Sequence, residues 1–128
     1  MDQQVVMQLQ QMEQDLSYLQ EQFNLFEQTI HELKVLVESL DELEKGNSNE
    51  LLVNVGRKLY LPVQVQEKSL IVDVGKNTFV KKNIPDTKKI IDEQLLNLMK
   101  GKGQLMEQMN QLHEEIEQVL KKVEQDEA

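Results

Sequence analysis

The sequence contains no cysteine and no tryptophan, and its 128 residues include only five glycines, two prolines and 4% aromatic residues. The lack of cysteine excludes disulfides, thiol catalysis and cysteine-bound zinc, and it suits a reducing compartment. So few large rings leave little material for a compact globular core. No run of about 18 apolar residues is present, so we expect no membrane span.

Positive charge is also scarce. The chain carries 23 acidic and 14 basic residues, a formal net charge of −9. This balance argues against DNA or RNA as a partner, because phosphates require a basic face. The first residues have neither the basic start nor the apolar stretch of a secretory signal. We therefore expect one domain, located in the cytoplasm.

The charge is distributed unevenly along the chain. The net charge is −8 over residues 1–45, +3 over 46–85 and −4 over 86–128. The two outer segments are rich in Gln, Glu, Leu and Met, which favour helix. The middle segment is rich in Val, Gly and Lys. These boundaries predict an N-terminal helix, a central β-region and a C-terminal helix.

Apolar residues in the first segment recur at alternating steps of four and three. A sustained pattern of this kind is typical of a coiled coil rather than of a globular amphipathic helix. The helix is predicted to end near Lys45-Gly46, where a basic residue precedes a C-cap glycine. The eleven seam positions are Val5, Leu9, Met12, Leu16, Leu19, Phe23, Phe26, Ile30, Leu33, Val37 and Leu40.

The last segment repeats this spacing, with one failure at Lys102 between Gly101 and Gly103. Its start is predicted at Pro85-Asp86-Thr87, since proline suits a first turn and Asp or Thr can cap it. The two helices should fold back as one antiparallel coiled coil, with Lys102 facing Ile30. We expect a local loosening there, with Lys102 extending outward. A packing defect and a functional flexible point are equal alternatives for the break. The apolar seam positions are Ile91, Leu95, Leu98, Leu105, Met109, Leu112, Ile116, Val119 and Val123.

The middle segment contains an internal repeat at an offset of 19 residues. Residues 51–61 align with residues 70–80, and each unit has β-branched runs around a glycine turn. The pattern predicts two consecutive β-hairpins. Both faces of these strands carry apolar residues, which so small a sheet cannot bury within one chain. We therefore expect oligomerisation through Leu51, Leu52, Val53, Val55, Leu59, Tyr60, Leu61, Leu70, Ile71, Val72, Val74, Phe79 and Val80.

This order of parts resembles the α-class subunits of prefoldin. The similarity lies in the segments Glu50–Gly56, Leu59–Pro62, Leu70–Gly75 and Thr78–Val80, and in the second hairpin, since β-class subunits have one. The resemblance implies a mostly helical α+β fold whose hairpins form an inter-subunit β-barrel. It also implies a hexamer of two α-class and four β-class subunits. As its function, it implies an ATP-independent holdase that passes unfolded chains to a group II chaperonin.

The free ends of the two helices are the predicted client-binding region. Unfolded proteins expose apolar surface, and methionine-containing surfaces adapt to many partners. Four of the residues, Val6, Met7, Met106 and Leu120, lie off the seam, where helix pairing would not hide them. Ordinary seam packing is the alternative interpretation. The predicted set is Val5, Val6, Met7, Leu9, Met12, Met106, Leu112, Ile116, Val119, Leu120 and Val123.

No catalytic, cofactor or metal site is predicted. The two histidines lie on different helices, and no HExxH, P-loop or GxGxxG motif occurs. Adjacent helical acids such as Glu114 and Glu115 point apart. We therefore expect no enzyme. The alternative to a chaperone is a structural or tethering coiled coil that oligomerises through its hairpins.

Overall fold

A computed structural model describes residues 2–127. Two long helices, α1 (Gln3–Lys45) and α2 (Ile84–Glu127), flank four strands. The strands are β1 (Glu50–Gly56), β2 (Leu59–Gln64), β3 (Ser69–Gly75) and β4 (Thr78–Asn83). The predicted fold class, two coiled-coil helices with two hairpins between them, is confirmed. Within the described residues, neither helix is both long enough and apolar enough to cross a bilayer.

The coiled-coil seam lies where the spacing predicts it. All eleven seam positions of α1 are buried or half-buried, and so are the nine apolar seam positions of α2. The alternating series in α2 also extends back to Lys88 and Ile84, both at least half-buried. Ile84 is the most enclosed side chain described, at 2% exposure.

The chain comprises two compact units. The first consists of residues 2–32 with 95–127, and the second of Leu33–Gln94. In each unit a segment of α1 pairs antiparallel with a segment of α2. Ile30 and Met109 are buried in the first unit, and Leu40, Ile84 and Ile91 in the second.

The pairing register differs from the predicted one. Lys102 was expected to face Ile30, but its ammonium lies 3.4 Å from Glu27 Oε1 and above the Phe23 ring. Gly101 lies against Phe26. The two helices are therefore displaced by about one turn from the predicted register, because an apolar series alone does not say which layers oppose each other. The Lys102 ammonium reaches outward to the exposed Glu27, in agreement with the expected extension, and α2 continues unbroken through the glycines.

The helix ends are set by local hydrogen bonds. Helix α1 ends at Lys45 as predicted, and the Gly46 N–H donates to the Glu42 carbonyl at 3.0 Å. Helix α2 begins slightly earlier than predicted, and Asn83 provides its cap rather than Asp86 or Thr87. The Asp86 N–H donates to Asn83 Oδ1 at 2.8 Å, and Asn83 Nδ2 donates to Asp86 Oδ2 at 3.0 Å. The first bond is an N-cap contact to the third helical residue, and the second is a side-chain bond that orients the Asn83 amide.

The two hairpins share one turn design, in agreement with the sequence repeat. Strands β1 and β2 pair antiparallel, as do β3 and β4, and in each hairpin the register shifts just before the turn. The Gly56 N–H donates to Asn54 Oδ1 at 2.9 Å, and the Gly75 N–H donates to Asp73 Oδ1 at 2.8 Å. Both glycines have positive φ, +132° and +105°. The Asn and Asp of the repeat therefore anchor equivalent bulges.

Candidate assembly and client-binding surfaces

The hairpins present apolar side chains to solvent. Ten of the thirteen residues predicted to mediate assembly are exposed, among them Leu52 at 67% and Ile71 at 77%. The other three, Leu70, Val72 and Val80, are half-buried. Contiguous apolar surface of this kind marks an interaction site. Each hairpin is also a separate two-stranded sheet, so every strand keeps an unpaired edge.

The second hairpin adjoins the helices within the unit Leu33–Gln94. A cleft of about 320 Å³ lies between β3 and the paired helix segments. Two helix residues that the sequence analysis missed, Leu36 and Ile90, line it and remain exposed. In the sequence they differ from other surface positions only in being apolar and next to a seam residue, and several other exposed residues share that property. The cleft is lined by Leu33, Leu36, Leu40, Leu70, Ile71, Val72, Lys82, Thr87, Ile90, Ile91 and Gln94.

An ion-paired lysine lies near the same end of the helices. Lys88 Nζ is 2.5 Å from Asp41 Oδ1 and 3.2 Å from Glu44 Oε2. Hydrogen bonding from Lys88 lowers the pKa of Asp41, and the two acids raise the pKa of Lys88. On the hairpin side, hydrogen bonds from Lys81 and Ser69 lower the pKa of Glu67. The Lys88 ion pairs thus link α2 to α1, and the Lys81–Glu67 pair links β4 to the segment between β2 and β3.

The free helix ends bring most of the predicted client-binding residues together. Val5, Leu9 and Met12 lie along the α1 seam, and each is half-buried. The α2 seam members Leu112, Ile116, Val119 and Val123 are also half-buried. Off the seam, Met7 is 66% exposed and Leu120 is exposed, whereas Val6 is half-buried. A shallow cleft lies between the helices here, lined by Gln8, Met12, Glu115, Gln118, Val119 and Lys122.

Met106 lies apart from that cleft. It shares a surface notch with Met99, Lys102 and Gly103, in the middle of α2. Met99 is exposed as well, and so are Tyr18, Leu25 and Leu96 elsewhere on the first unit. The sequence pattern does not distinguish these four residues, because they lie between seam positions that already account for the apolar periodicity. Exposed apolar side chains therefore extend beyond the tips.

The fold and these surfaces agree with the comparisons with known proteins. The model of the family described as Prefoldin subunit matches residues 7–127. The chain belongs to the prefoldin subunit family. No curated protein matches the sequence. Among solved structures, the chain is similar to a chain in the cryo-EM structure of filamentous PFD from Methanocaldococcus jannaschii. That match has a TM-score of 0.73 and 19% identity, and it covers 88% of this chain and 94% of the other.

Membership of the prefoldin family gives the exposed hairpins a role. Prefoldin subunits assemble with one another, and the apolar strands described above are uncovered in the single chain. In the single chain the two hairpins form separate open sheets, and we expect them to close into a barrel only when subunits assemble.

Proposed function

We propose that this chain is an α-class prefoldin subunit that acts as an ATP-independent holdase. Its hairpins join β-class subunits in a hexamer of two α-class and four β-class chains, and its helix tips capture unfolded polypeptides for delivery to a group II chaperonin. The observation that carries the proposal is the pairing of two features: uncovered apolar hairpins and exposed apolar side chains at the free helix ends. The cysteine-free sequence suits the cytoplasm as its location.

The α-class assignment is supported by the two tandem hairpins. Client capture is supported by the chemistry of the tips, where the thioether of Met7 is flexible, polarizable and largely in solvent. Each contact of about 100 Å² contributes only about 2.5 kcal/mol before entropic costs. Several tips on one particle would add their contacts through effective concentration. Such binding is strong in sum, and it can be released without nucleotide hydrolysis.

The test is suppression of the aggregation of a denatured protein by the assembled complex, without ATP. Removing residues 1–12 and 117–128 should abolish protection and leave the assembly mass otherwise intact. A finer variant, Met7→Ser with Leu120→Ser, should weaken protection. A matched control, Leu25→Ser with Leu96→Ser, changes two apolar residues that are also exposed but lie away from the free helix ends, and it should protect normally.

The outcomes separate two functions. Full protection by the truncated complex would contradict capture at the tips. Failure of every assembled form to protect would favour the structural or tethering role. Delivery is tested separately, by asking whether a group II chaperonin accelerates the transfer of held client.

A further inference from the structure

The Gly101-Lys102-Gly103 segment needs a physical reason for its place in α2. Glycine is about 1 kcal/mol less favourable than alanine within a helix. The segment carries two glycines, yet the helix runs from Ile84 to Glu127 without interruption. A local contact that requires glycine would account for one of them.

Gly101 provides that contact. A Cβ placed there would lie 2.7 Å from Phe26 Cε1, closer than real Cβ atoms approach, and 3.1 Å from Phe26 Cζ, which is also tight. The Phe26 ring therefore occupies a socket that exists because residue 101 has no side chain. At Gly103, a Cβ would meet nothing within 4 Å. The two glycines thus differ in kind.

Lys102, next to Gly101, adds a charged contact to the same part of the helix pair. It occupies a seam position and is half-buried. Its Nζ lies 5.3 Å from the centroid of the Phe23 ring and 3.4 Å from Glu27 Oε1. Its aliphatic stem covers the seam, while the ammonium reaches the edge of the helix pair. A cation over an aromatic face adds attraction.

Lys88 repeats this arrangement in the other unit. It lies two heptads before Lys102 at an equivalent seam position, and its partner Asp41 lies two heptads after Glu27. Both seam lysines therefore pair with the acid at the same heptad position of α1. Lys34 occupies that position midway between the two acids. A shift of one heptad in one direction replaces Glu27 by Lys34 beside Lys102, and a shift in the other direction replaces Asp41 by Lys34 beside Lys88.

We propose that Gly101 and Lys102, with Phe23, Phe26 and Glu27, form a pairing-specificity site that fixes α1 and α2 in one register. An all-apolar seam fits almost as well after a slip of seven residues, because every layer is alike. Here either slip would drive Phe26 against a residue with a side chain and place a seam lysine beside Lys34. The break in the apolar pattern is thus neither a defect nor a flexible point.

The first test compares Gly101→Ala with Gly103→Ala by thermal unfolding of the full chain at one concentration. Helix propensity alone predicts that both raise Tm. The socket predicts that Gly103→Ala raises Tm, whereas Gly101→Ala lowers it by several degrees. Phe26→Leu, which shortens the ring's reach, should reverse the sign for Gly101→Ala. An increase in Tm for Gly101→Ala with Phe26 in place would overturn the socket.

The second test reads the register directly. The chain has no native cysteine, so two pairs can be compared by thiol cross-linking: Met12→Cys with Val119→Cys, which line one cleft, and Met12→Cys with Leu112→Cys, one heptad away. The native chain should favour the first pair strongly. Lys34→Glu, at an exposed residue, turns the repulsion of the slipped register into attraction and should lower the preference several-fold. An unchanged preference would contradict the proposed role of the seam lysines.

Discussion

At the scale of single residues, each hairpin turn has a stabilising side-chain hydrogen bond at its start and two central residues with positive φ. Arg57, Lys58, Lys76 and Asn77 all have positive φ, between 45° and 63°. This left-handed geometry matches the twist of a two-residue hairpin turn and is the reason Asn-Gly is favoured there. Long basic side chains tolerate it at a cost of about 1–2 kcal/mol per residue. The side-chain oxygens of Asn54 and Asp73 offset part of that cost by binding the glycine N–H.

Replacing Arg57-Lys58 by Asn-Gly should therefore stabilise the first hairpin by about 1 kcal/mol, since both new residues adopt positive φ at lower cost. Amide hydrogen exchange of the β1–β2 ladder should slow accordingly. Gly56→Ala is the opposing control, because φ of +132° at Gly56 strains any side chain. Faster exchange in the Asn-Gly variant would contradict this account of the turn.

At the scale of elements, the two helices are held by an apolar seam interrupted by ion-paired lysines. Asp41 and Lys88 illustrate how pairing adds a pH dependence to the junction. The pKa of Asp41 is lowered by its hydrogen bond from Lys88, so its contribution is present above the unfolded pKa of about 4 and is lost as pH falls through the lowered value. The pKa of Lys88 is raised, so its contribution persists until pH rises through that raised value.

Asp41→Asn should therefore lower Tm at pH 7, and the difference from the native chain should begin to shrink below about pH 4 and disappear as pH falls through the lowered pKa of Asp41. Thermal unfolding of both chains between pH 3 and pH 8 provides the measurement. Glu38→Gln, an exposed change of the same charge on α1, is the control and should show a smaller difference at pH 7. A difference that persists in acid would mean that Asp41 acts through packing rather than charge.

The sequence predicted the helices and their seam positions correctly, but it did not predict the register in which the two helices pair. Eleven apolar positions at alternating steps of four and three predicted the α1 seam, because burial against a second helix requires that spacing. The register was wrong by about one turn, because apolar layers are interchangeable and the discriminating contact, the Phe26 ring in the space left by Gly101, depends on three-dimensional fit. The α2 cap was assigned to Asp86 or Thr87 rather than Asn83, since several polar residues lie at that boundary. Leu36 and Ile90 were missed because only the fold of β3 places them beside a cleft.

At the scale of the whole molecule, the described chain buries few side chains fully and leaves many large apolar ones in solvent. Only Ile30, Leu40, Ile84, Ile91 and Met109 are both apolar and buried among the described residues. The exposed apolar residues concentrate on the hairpins, where Leu52, Leu59 and Ile71 are more than 60% exposed. Assembly with other prefoldin subunits is the expected source of cover for this surface.

Ile71→Asp should prevent assembly while leaving the helices intact, because it places a charge in the proposed interface. Mass measurement of the chain with a β-class partner should show the free subunit, and circular dichroism should be unchanged. Leu96→Asp is the matched control, since Leu96 is similarly apolar and exposed but lies on α2 and not on a hairpin strand. Normal assembly by Ile71→Asp would exclude that face of β3 from the interface.

The uncovered hairpins also have a consequence for how a cell would have to make this protein. A newly synthesised chain that has not yet assembled with other subunits exposes apolar surface to solvent, as a denatured chain does. Its supply must then be matched to theirs, since surplus copies would be drawn to one another or to quality-control proteases. We expect production of the chain alone to give a lower soluble yield than production together with its partner subunits. Diluting the assembled complex until its subunits dissociate should expose the hairpin surface again and cause aggregation.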